Sequence, residues 1–190
     1  MHELIANRWS ARGYDTESGI SDDELLAIVE AGRWAPTWGK IQPVRFIVGR
    51  RGDLTFDGLV AGLTRGNIGW APRAAALILV CTTNDPTDDK VHTYAAVDAG
   101  LAIAQMSLQA EALGFNSHPM AGFIPEIVTE RFDIPDEARP LVVLGIGRLA
   151  DPDTLPEEIR ERDQQPRSRL PLTEVAFADQ WGHSWEPPTK

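Results

Sequence analysis

The 190-residue sequence has a single cysteine, Cys81, which excludes an internal disulfide and any metal site built from several cysteines. Long apolar runs are also lacking: the longest, residues 74–81, is far shorter than the ~20 residues that span a bilayer. The chain does not open on a basic segment followed by an apolar one, so secretion is not indicated. We therefore expect a cytoplasmic protein with no membrane partner.

Motifs of several enzyme classes are absent. The sequence contains no Walker phosphate loop, no HExxH, no GxSxG and no CxxC. The four histidines show no metal-ligand spacing, and we expect no metal site. Among them, His118 is interpreted as a hydrogen-bonded structural residue.

Charge is unbalanced, with 18 basic against 28 acidic residues and a net charge of -10. A chain this acidic repels nucleic acid on average, so we expect no nucleic-acid partner. A cluster of arginines in such an acidic chain would stand out and would indicate a local site for an anion.

Helical and strand patterns alternate along the chain and predict one α+β (α/β) domain, with a mixed central sheet flanked by helices. Ser21 and Glu24 form a capping box that starts one helix, and Pro36 ends it. The predicted helices span 22–35, 53–63, 92–113, 125–132 and 156–163. The predicted strands span 44–49, 74–81, 115–120 and 141–147.

The helix predicted over 92–113 is apolar on nearly all sides and is followed by Gly114, a residue type favoured just past a helix end. A helix of this kind is buried all round, either in a core or against another subunit. We therefore expect it at a dimer interface.

The amino-acid composition changes after the core domain, residues 1–150. Residues 151–190 carry six prolines and many charges, and 170–177 is too apolar to lie free in solvent. We interpret 151–190 as an extended C-terminal extension of the same domain that packs on the core or on a partner subunit.

Two arginine pairs with a serine between them lie near opposite ends of the chain. Arg8, Ser10 and Arg12 would point to one side of an extended backbone and could bind a phosphate. Arg167 and Arg169 repeat the pattern, and both pairs could converge on one dianion. Each pair alone is equally compatible with ordinary surface charge.

Two further segments have the character of ligand-binding loops. Residues 35–46 leave a helix and enter a strand, with Thr37, Lys40 and Gln42 as polar groups. The small residues within 119–123 would allow a ligand to approach the backbone closely.

Five motifs in the same order give a resemblance that covers residues 7–175. They are Arg-x-Ser-x-Arg from Arg8, the helix end leading through Pro36 and Thr37 to Gln-Pro, Leu-Gly-Phe followed by Pro-Met-Ala-Gly-Phe, Val-Leu-Gly-Ile-Gly-Arg, and Arg-Ser-Arg-Leu-Pro-Leu-Thr-Glu. Together they resemble the nitroreductase family of FMN-dependent, homodimeric flavoproteins.

The resemblance implies a set of FMN-binding residues. The phosphate and ribityl chain would be held by Arg8, Trp9, Ser10, Arg12, Arg167 and Arg169. A loop from the other subunit would edge the isoalloxazine ring through Pro36, Thr37, Trp38, Lys40 and Gln42. The stretch near flavin N5 and O4 would comprise Pro119, Met120, Ala121 and Gly122, and Asn67 would match a family asparagine that contacts the ring or the ribityl chain.

The family usually has an asparagine where this chain has Lys40. A lysine near the pyrimidine end of the ring would favour the anionic reduced flavin. The alternative is that Lys40 points to solvent and Gln42 recognises the ring.

The resemblance also implies a reaction: hydride passes from NADH or NADPH through flavin N5 to a nitroaromatic, quinone or related small-molecule acceptor, with ping-pong kinetics. No side chain is assigned as catalytic. Two alternatives stay open, namely an FMN-binding protein without turnover, for storage or sequestration, and a domain that binds a different phosphorylated ligand.

Overall fold

The computed structural model describes residues 1–39, 41–83, 85 and 88–186. The helices are α1 (Glu3–Asn7), α2 (Asp22–Arg33), α3 (Leu54–Ala61), α4 (Arg65–Ile68), α5 (Asp89–Ala112), α6 (Pro125–Arg131) and α7 (Glu157–Asp163). The strands are β1 (Val44–Arg50), β2 (Ala76–Thr83), β3 (Asn116–Met120) and β4 (Ala138–Gly147). Short 3₁₀ turns occur at Ala71–Arg73, Pro152–Thr154 and Leu172–Glu174.

The four strands form one sheet in the order β1-β2-β4-β3. The predicted α+β fold is confirmed, but the sheet is not mixed: within the described residues each neighbouring pair is antiparallel. The reason is the placement of β4. The long helix α5 carries the chain from β2 to a strand running in the same direction, and β4 then inserts between them.

β2 is buried along almost its whole length because helices cover both faces of the sheet. Leu77 and Leu79 pack on one face with Phe56 of α3 and Val128 of α6. Ile78 packs on the other face, in the core that α2 and α5 complete. The continuous apolar run at 74–81 thus reflects a two-sided environment.

Local signals in the sequence fix several element ends. Ser21 and Glu24 make the reciprocal bonds of a capping box at the start of α2. Gly114 adopts φ +76° just past the end of α5, a backbone region that L side chains rarely enter. At Gly32, a Cβ would lie 2.7 Å from the Met106 side chain, so this glycine permits the close approach of α2 to α5.

One face of α5 is buried against the sheet and α2, and the opposite face is apolar but open. Tyr94, Val97 and Leu101 on that open face are 40%, 52% and 39% exposed. Helix α5 was predicted to be buried on all sides, but within a single chain only one of its faces is buried. No helix in the described part of the chain combines the length and apolarity needed to cross a membrane.

The segment that follows α7 makes few contacts with the body of its own chain. Arg167 bonds to the N-terminal segment, but Leu170, Leu172 and Val175 are more than half exposed. Further on, the Phe177 and Trp181 rings contact each other, with centroids 5.1 Å apart.

Candidate functional site

Residues from the two ends of the chain line one cavity of about 360 Å³, which we call the arginine cleft. Its lining residues are Arg8, Trp9, Ser10, Arg162, Gln165, Arg167 and Arg169. The Arg167 guanidinium donates to the backbone carbonyls of Arg8 (3.0 Å) and Ala6 (2.7 Å), so it joins the C-terminal segment to the N-terminal one. The predicted meeting of the two arginine pairs is therefore observed for Arg8, Arg167 and Arg169.

Arg162 and Gln165 line the arginine cleft but were not predicted from the sequence. Arg162 donates to the Ser10 carbonyl at 2.7 Å and to the Asp163 carboxylate at 2.7 Å. One signal could have found it: α7 leads directly into the Arg167–Arg169 pair, so basic residues on its last turn lie near the same place. The cleft gathers four guanidinium groups in a chain of net charge -10.

A second cavity of about 470 Å³ adjoins the arginine cleft and shares Arg8 and Ser10 with it. We call it the apolar trough. Besides those two residues it is lined by Ile5, Gly100, Ile103, Ala104, Ser107, Leu108 and Pro119. The trough therefore runs along α5 from the charged cleft to the start of the segment 119–122.

Arg12 does not line the arginine cleft. Its guanidinium carbon lies 5.5 Å from the centroid of the Trp70 ring, and its Nε atom is buried with no hydrogen-bond partner among the described residues. Burial and the positive charge of Arg162 lower the pKa of Arg12, and the attraction of Asp163 only partly opposes this. Of the three residues predicted to point to one side of the backbone, Arg8 and Ser10 do so, whereas the Arg12 side chain turns toward Trp70.

Side chains of β3 hold the backbone that carries these N-terminal residues. Asn116 accepts a hydrogen bond from the Ala11 amide (3.2 Å) and donates to the Trp9 carbonyl (2.9 Å). Nδ1 of His118 lies 2.8 Å from the Ala11 carbonyl oxygen, and because a carbonyl only accepts, Nδ1 carries the proton. The structural role predicted for His118 is confirmed.

The His118 ring stacks at a tilt on Trp70, with centroids 4.5 Å apart. Burial lowers the pKa of His118 to about 4, although its bond to the Ala11 carbonyl opposes that shift. The ring is therefore neutral near pH 7 and adds no charge beside the cleft.

The Asn67 side chain is hydrogen-bonded to the segment 119–122. Its Nδ2 donates to the Gly122 carbonyl at 2.9 Å, and the Thr64 hydroxyl donates to the same oxygen at 3.0 Å. A Cβ on Gly122 would lie 2.6 Å from the Asn67 nitrogen. The glycine is thus required by the chain's own packing, while Pro119 and Ala121 remain exposed and Met120 is buried.

The helix-exit loop, residues 36–42, lies at a different place in the same chain. Pro36, Thr37 and Gln42 help to line a cavity of about 330 Å³ between α2, β1 and α5, and within the described residues that cavity shares no lining residue with the arginine cleft. The Gln42 amide donates to the Arg33 carbonyl at 3.3 Å. Lys40 lies outside the described residues.

Asp98 of α5 anchors the helix-exit loop. Its carboxylate, which is 3% exposed, accepts hydrogen bonds from the Thr37 hydroxyl (2.7 Å) and from the Trp38 amide (2.9 Å). The Trp38 ring stacks on Tyr94 with centroids 4.9 Å apart and planes 17° apart. Asp98 was not predicted from the sequence because it lies within a helix interpreted as apolar on nearly all sides.

Comparison with known proteins identifies the family. The family model described as "Nitroreductase family" matches residues 5–57 and 60–148. The chain is 47% identical over 148 residues to an uncharacterized 15.4 kDa protein of Mycolicibacterium smegmatis, covering 74% of this chain and 99% of that one. It is 25% identical over 185 residues to YdgI of Bacillus subtilis, which bears a provisional NAD(P)H nitroreductase name, covering 78% and 88%.

Solved structures agree in fold. The crystal structure of an oxidoreductase containing FMN superposes with a TM-score of 0.86 at 31% identity, covering 97% of this chain and 94% of that chain. The NADPH:FMN oxidoreductase of Vibrio harveyi, complexed with NAD⁺, superposes with a TM-score of 0.76 at 20% identity, covering 94% and 76%; at that identity it speaks for the fold alone.

The chain belongs to the nitroreductase family, and its class is that of the FMN-dependent oxidoreductases. The family resemblance, the fold class and the enzyme class expected from the sequence are thereby confirmed.

Proposed function

We propose that this protein is a homodimeric FMN-dependent oxidoreductase that takes reducing equivalents from NADH or NADPH. It delivers them to a nitroaromatic, a quinone or a related electrophilic acceptor by ping-pong kinetics. One observation carries the proposal: a cleft of four arginines opens, through Arg8 and Ser10, into an apolar trough. That arrangement suits a ligand with a phosphate at one end and a flat apolar ring at the other.

The residues fit FMN in charge and in space. Arginine binds phosphate oxygens in a forked geometry, and Ser10 adds a hydroxyl donor. Both cavities lie in the ~300–1,000 Å³ range of small-molecule sites. In addition, the relative at 31% identity contains FMN.

In this proposal Arg8, Ser10, Arg167 and Arg169 hold the phosphate. Gly100 and Ala104 of α5 form a floor of small residues, and the segment 119–122 bounds the far end. When bound, FMN supplies the redox chemistry, accepting reducing equivalents from the nicotinamide and passing them to the acceptor. Because the chain need only bind, orient and shield the reactants, no side chain is assigned as a catalytic acid or base.

The second subunit explains two features of the single chain. The open face of α5, with Tyr94, Val97 and Leu101, is an apolar surface that a copy of the chain would cover. The helix-exit loop and the arginine cleft occupy separate cavities, as expected if the loop of one protomer edges the flavin of its partner. The exposed Leu170 and Leu172 would then pack across the dimer.

The absorption spectrum of the purified protein tests cofactor and reaction together. We expect oxidised-flavin bands that bleach when NADH or NADPH is added without oxygen and return when a nitroaromatic or quinone follows. Bands that persist with both nucleotides would instead favour an FMN-binding protein without turnover. Protein that stays colourless after incubation with FMN would indicate another phosphorylated ligand.

Assembly is tested by a charge on the open face of α5. Leu101→Lys should convert the dimer to a monomer and release FMN, because a lysine cannot be buried unpaired in an apolar interface. Leu54→Lys, on an exposed leucine of α3, is the matched control. Sedimentation analysis and the flavin content of each species decide. A wild-type monomer that keeps its FMN on dilution would contradict the shared site.

A further inference from the structure

The backbone of residues 9–13 is held from two sides. Asn116 and His118 of β3 bond to it on one side, as described above. On the other side lies α7, which begins nine residues after the family match ends at residue 148. α7 is fixed to the body by Ile159, which packs against the core that contains Tyr14.

Asp163, the last residue of α7, contacts two neighbouring residues of this backbone. Its carboxylate accepts from the Arg12 amide at 2.9 Å and from the Gly13 amide at 2.8 Å. The side chain is only 9% exposed. Two neighbouring amides on one buried carboxylate define the direction of the backbone, since charge-assisted bonds are short and directional.

Arg162 completes the arrangement from the adjacent position. It donates to the Ser10 carbonyl and to Asp163, both at 2.7 Å. Gly13 permits the close approach of these segments, because a Cβ there would overlap the Leu155 side chain and lie 3.2 Å from the Asp163 carboxylate. Residues 10–13 are therefore shaped to α7 and not merely adjacent to it.

We propose that Asp163 and Arg162 are positioning residues that fix residues 10–13 so that Arg8 and Ser10 face the phosphate of FMN. This inference rests on the proposed function. Asp163 is an anion beside an anion-binding cleft, so it cannot bind the phosphate itself. Its contribution is the geometry of the backbone, which the family-matched part of the chain does not complete alone.

The sign of one effect separates positioning from simple electrostatics. Coulomb repulsion alone predicts that removing the negative charge of Asp163 tightens phosphate binding, since one charge that repels the phosphate is lost. Positioning predicts the reverse for Asp163→Ala, because the Arg12 and Gly13 amides lose their acceptor. Asp163→Asn removes the charge but keeps an amide oxygen that can accept, and it should restore phosphate binding.

The experiment measures the affinities of wild type and variants for FMN and for riboflavin, which has the same ring but no phosphate. For Asp163→Ala we expect FMN affinity to fall about tenfold with little change for riboflavin, and for Asp163→Asn a value within about threefold of wild type. Glu161→Ala is the matched control, since it removes an exposed carboxylate of the same helix. Arg162→Ala should also weaken FMN selectively, whereas Arg160→Ala should not.

Each outcome decides the matter. If Asp163→Ala binds FMN as tightly as wild type or more tightly, or loses FMN and riboflavin equally, the positioning role is wrong. If Asp163→Ala does not fold, Asp163→Ser replaces it, because its hydroxyl is too short to serve both amides. If the wild-type protein binds FMN no more tightly than riboflavin, the proposed function fails. If the wild-type protein and the variants prefer FMN equally, only the positioning role fails.

Discussion

The arginine cleft and the helix-exit loop are built in contrasting ways. The cleft is assembled from remote segments of one chain, and its backbone is bonded on both sides by β3 and α7. The loop is tied to the body through Asp98 and the Trp38–Tyr94 stack, with the Trp38 and Tyr94 side chains 38% and 40% exposed. The difference suggests that one chain preforms the phosphate end of the site, whereas the ring end depends on assembly.

The largest effect should come from the arginines of the cleft. Arg8→Ala combined with Arg169→Ala should weaken FMN binding by about 100-fold or more, because two charge-assisted contacts to phosphate are lost. Riboflavin affinity should change far less. Equilibrium titration followed by flavin fluorescence measures both, with Arg131→Ala, outside the cleft, as the control. Equal losses for the two ligands would remove the distinction between a phosphate end and a ring end.

An intermediate effect is expected at the helix-exit loop. Asp98→Ala should lower the free energy of unfolding by about 2 kcal/mol, because the Trp38 amide and the Thr37 hydroxyl lose a buried acceptor. In the proposed dimer the loop meets the flavin ring, so the variant should also weaken FMN and riboflavin binding to the same degree. Denaturant unfolding and the two titrations test this, with Asp98→Asn as the conservative control. A loss confined to FMN would contradict the separate roles of loop and cleft.

The smallest effect is a pH dependence from His118, whose pKa is about 4 in the folded chain against an ordinary value of 6.5. The unfolded chain therefore binds the extra proton between these values, so stability is full above about pH 6.5 and declines as the pH falls toward 4. With allowance for partial exposure of the ring, the loss between pH 7 and pH 5 should be about 1 kcal/mol.

His118→Asn should abolish that portion of the pH dependence while keeping a donor, Nδ2 in place of Nδ1, for the Ala11 carbonyl. Urea unfolding of both proteins at the two pH values measures the difference. An identical decline in wild type and variant would mean that His118 does not carry the effect, and that the bond on the β3 side of the cleft is insensitive to protonation.

Local chemistry explains which parts of the fold were predictable from the sequence. The capping box at Ser21 and the glycine after α5 depend on neighbours in the chain, and both were predicted. The burial of β2 on both faces was predicted as well, because it leaves a continuous apolar run in the sequence. The insertion of β4 between β2 and β3 depends on long-range pairing, and the mixed sheet was therefore wrong. The arginine pairs were recognisable because they oppose the acidic charge of the whole chain.

The supporting residues of the site were not predictable in the same way. Asp163 and Arg162 lie on the last turn of a charged helix. The arginine pair that follows this helix points to that turn, but nothing in the sequence predicts their bonds to residues 10–13. Asp98 lies in an otherwise apolar helix, and its partners are 60 and 61 residues away in the chain. The ligand contact that the resemblance implies for Asn67 stays a prediction, and the bond from its amide nitrogen to the Gly122 carbonyl was not foreseen.

The position of α7 determines when the site can form during synthesis. The Ser10 carbonyl and the Arg162 side chain are separated by 152 residues, so all of the intervening chain must be synthesised before that bond can close. Completion of the sheet is also delayed, because β4, one of its two inner strands, is translated after both strands that flank it. In a nascent chain, residues 9–11 can therefore bond to β3 before α7 exists, whereas the Arg12 and Gly13 amides lack their carboxylate acceptor until Asp163 is synthesised.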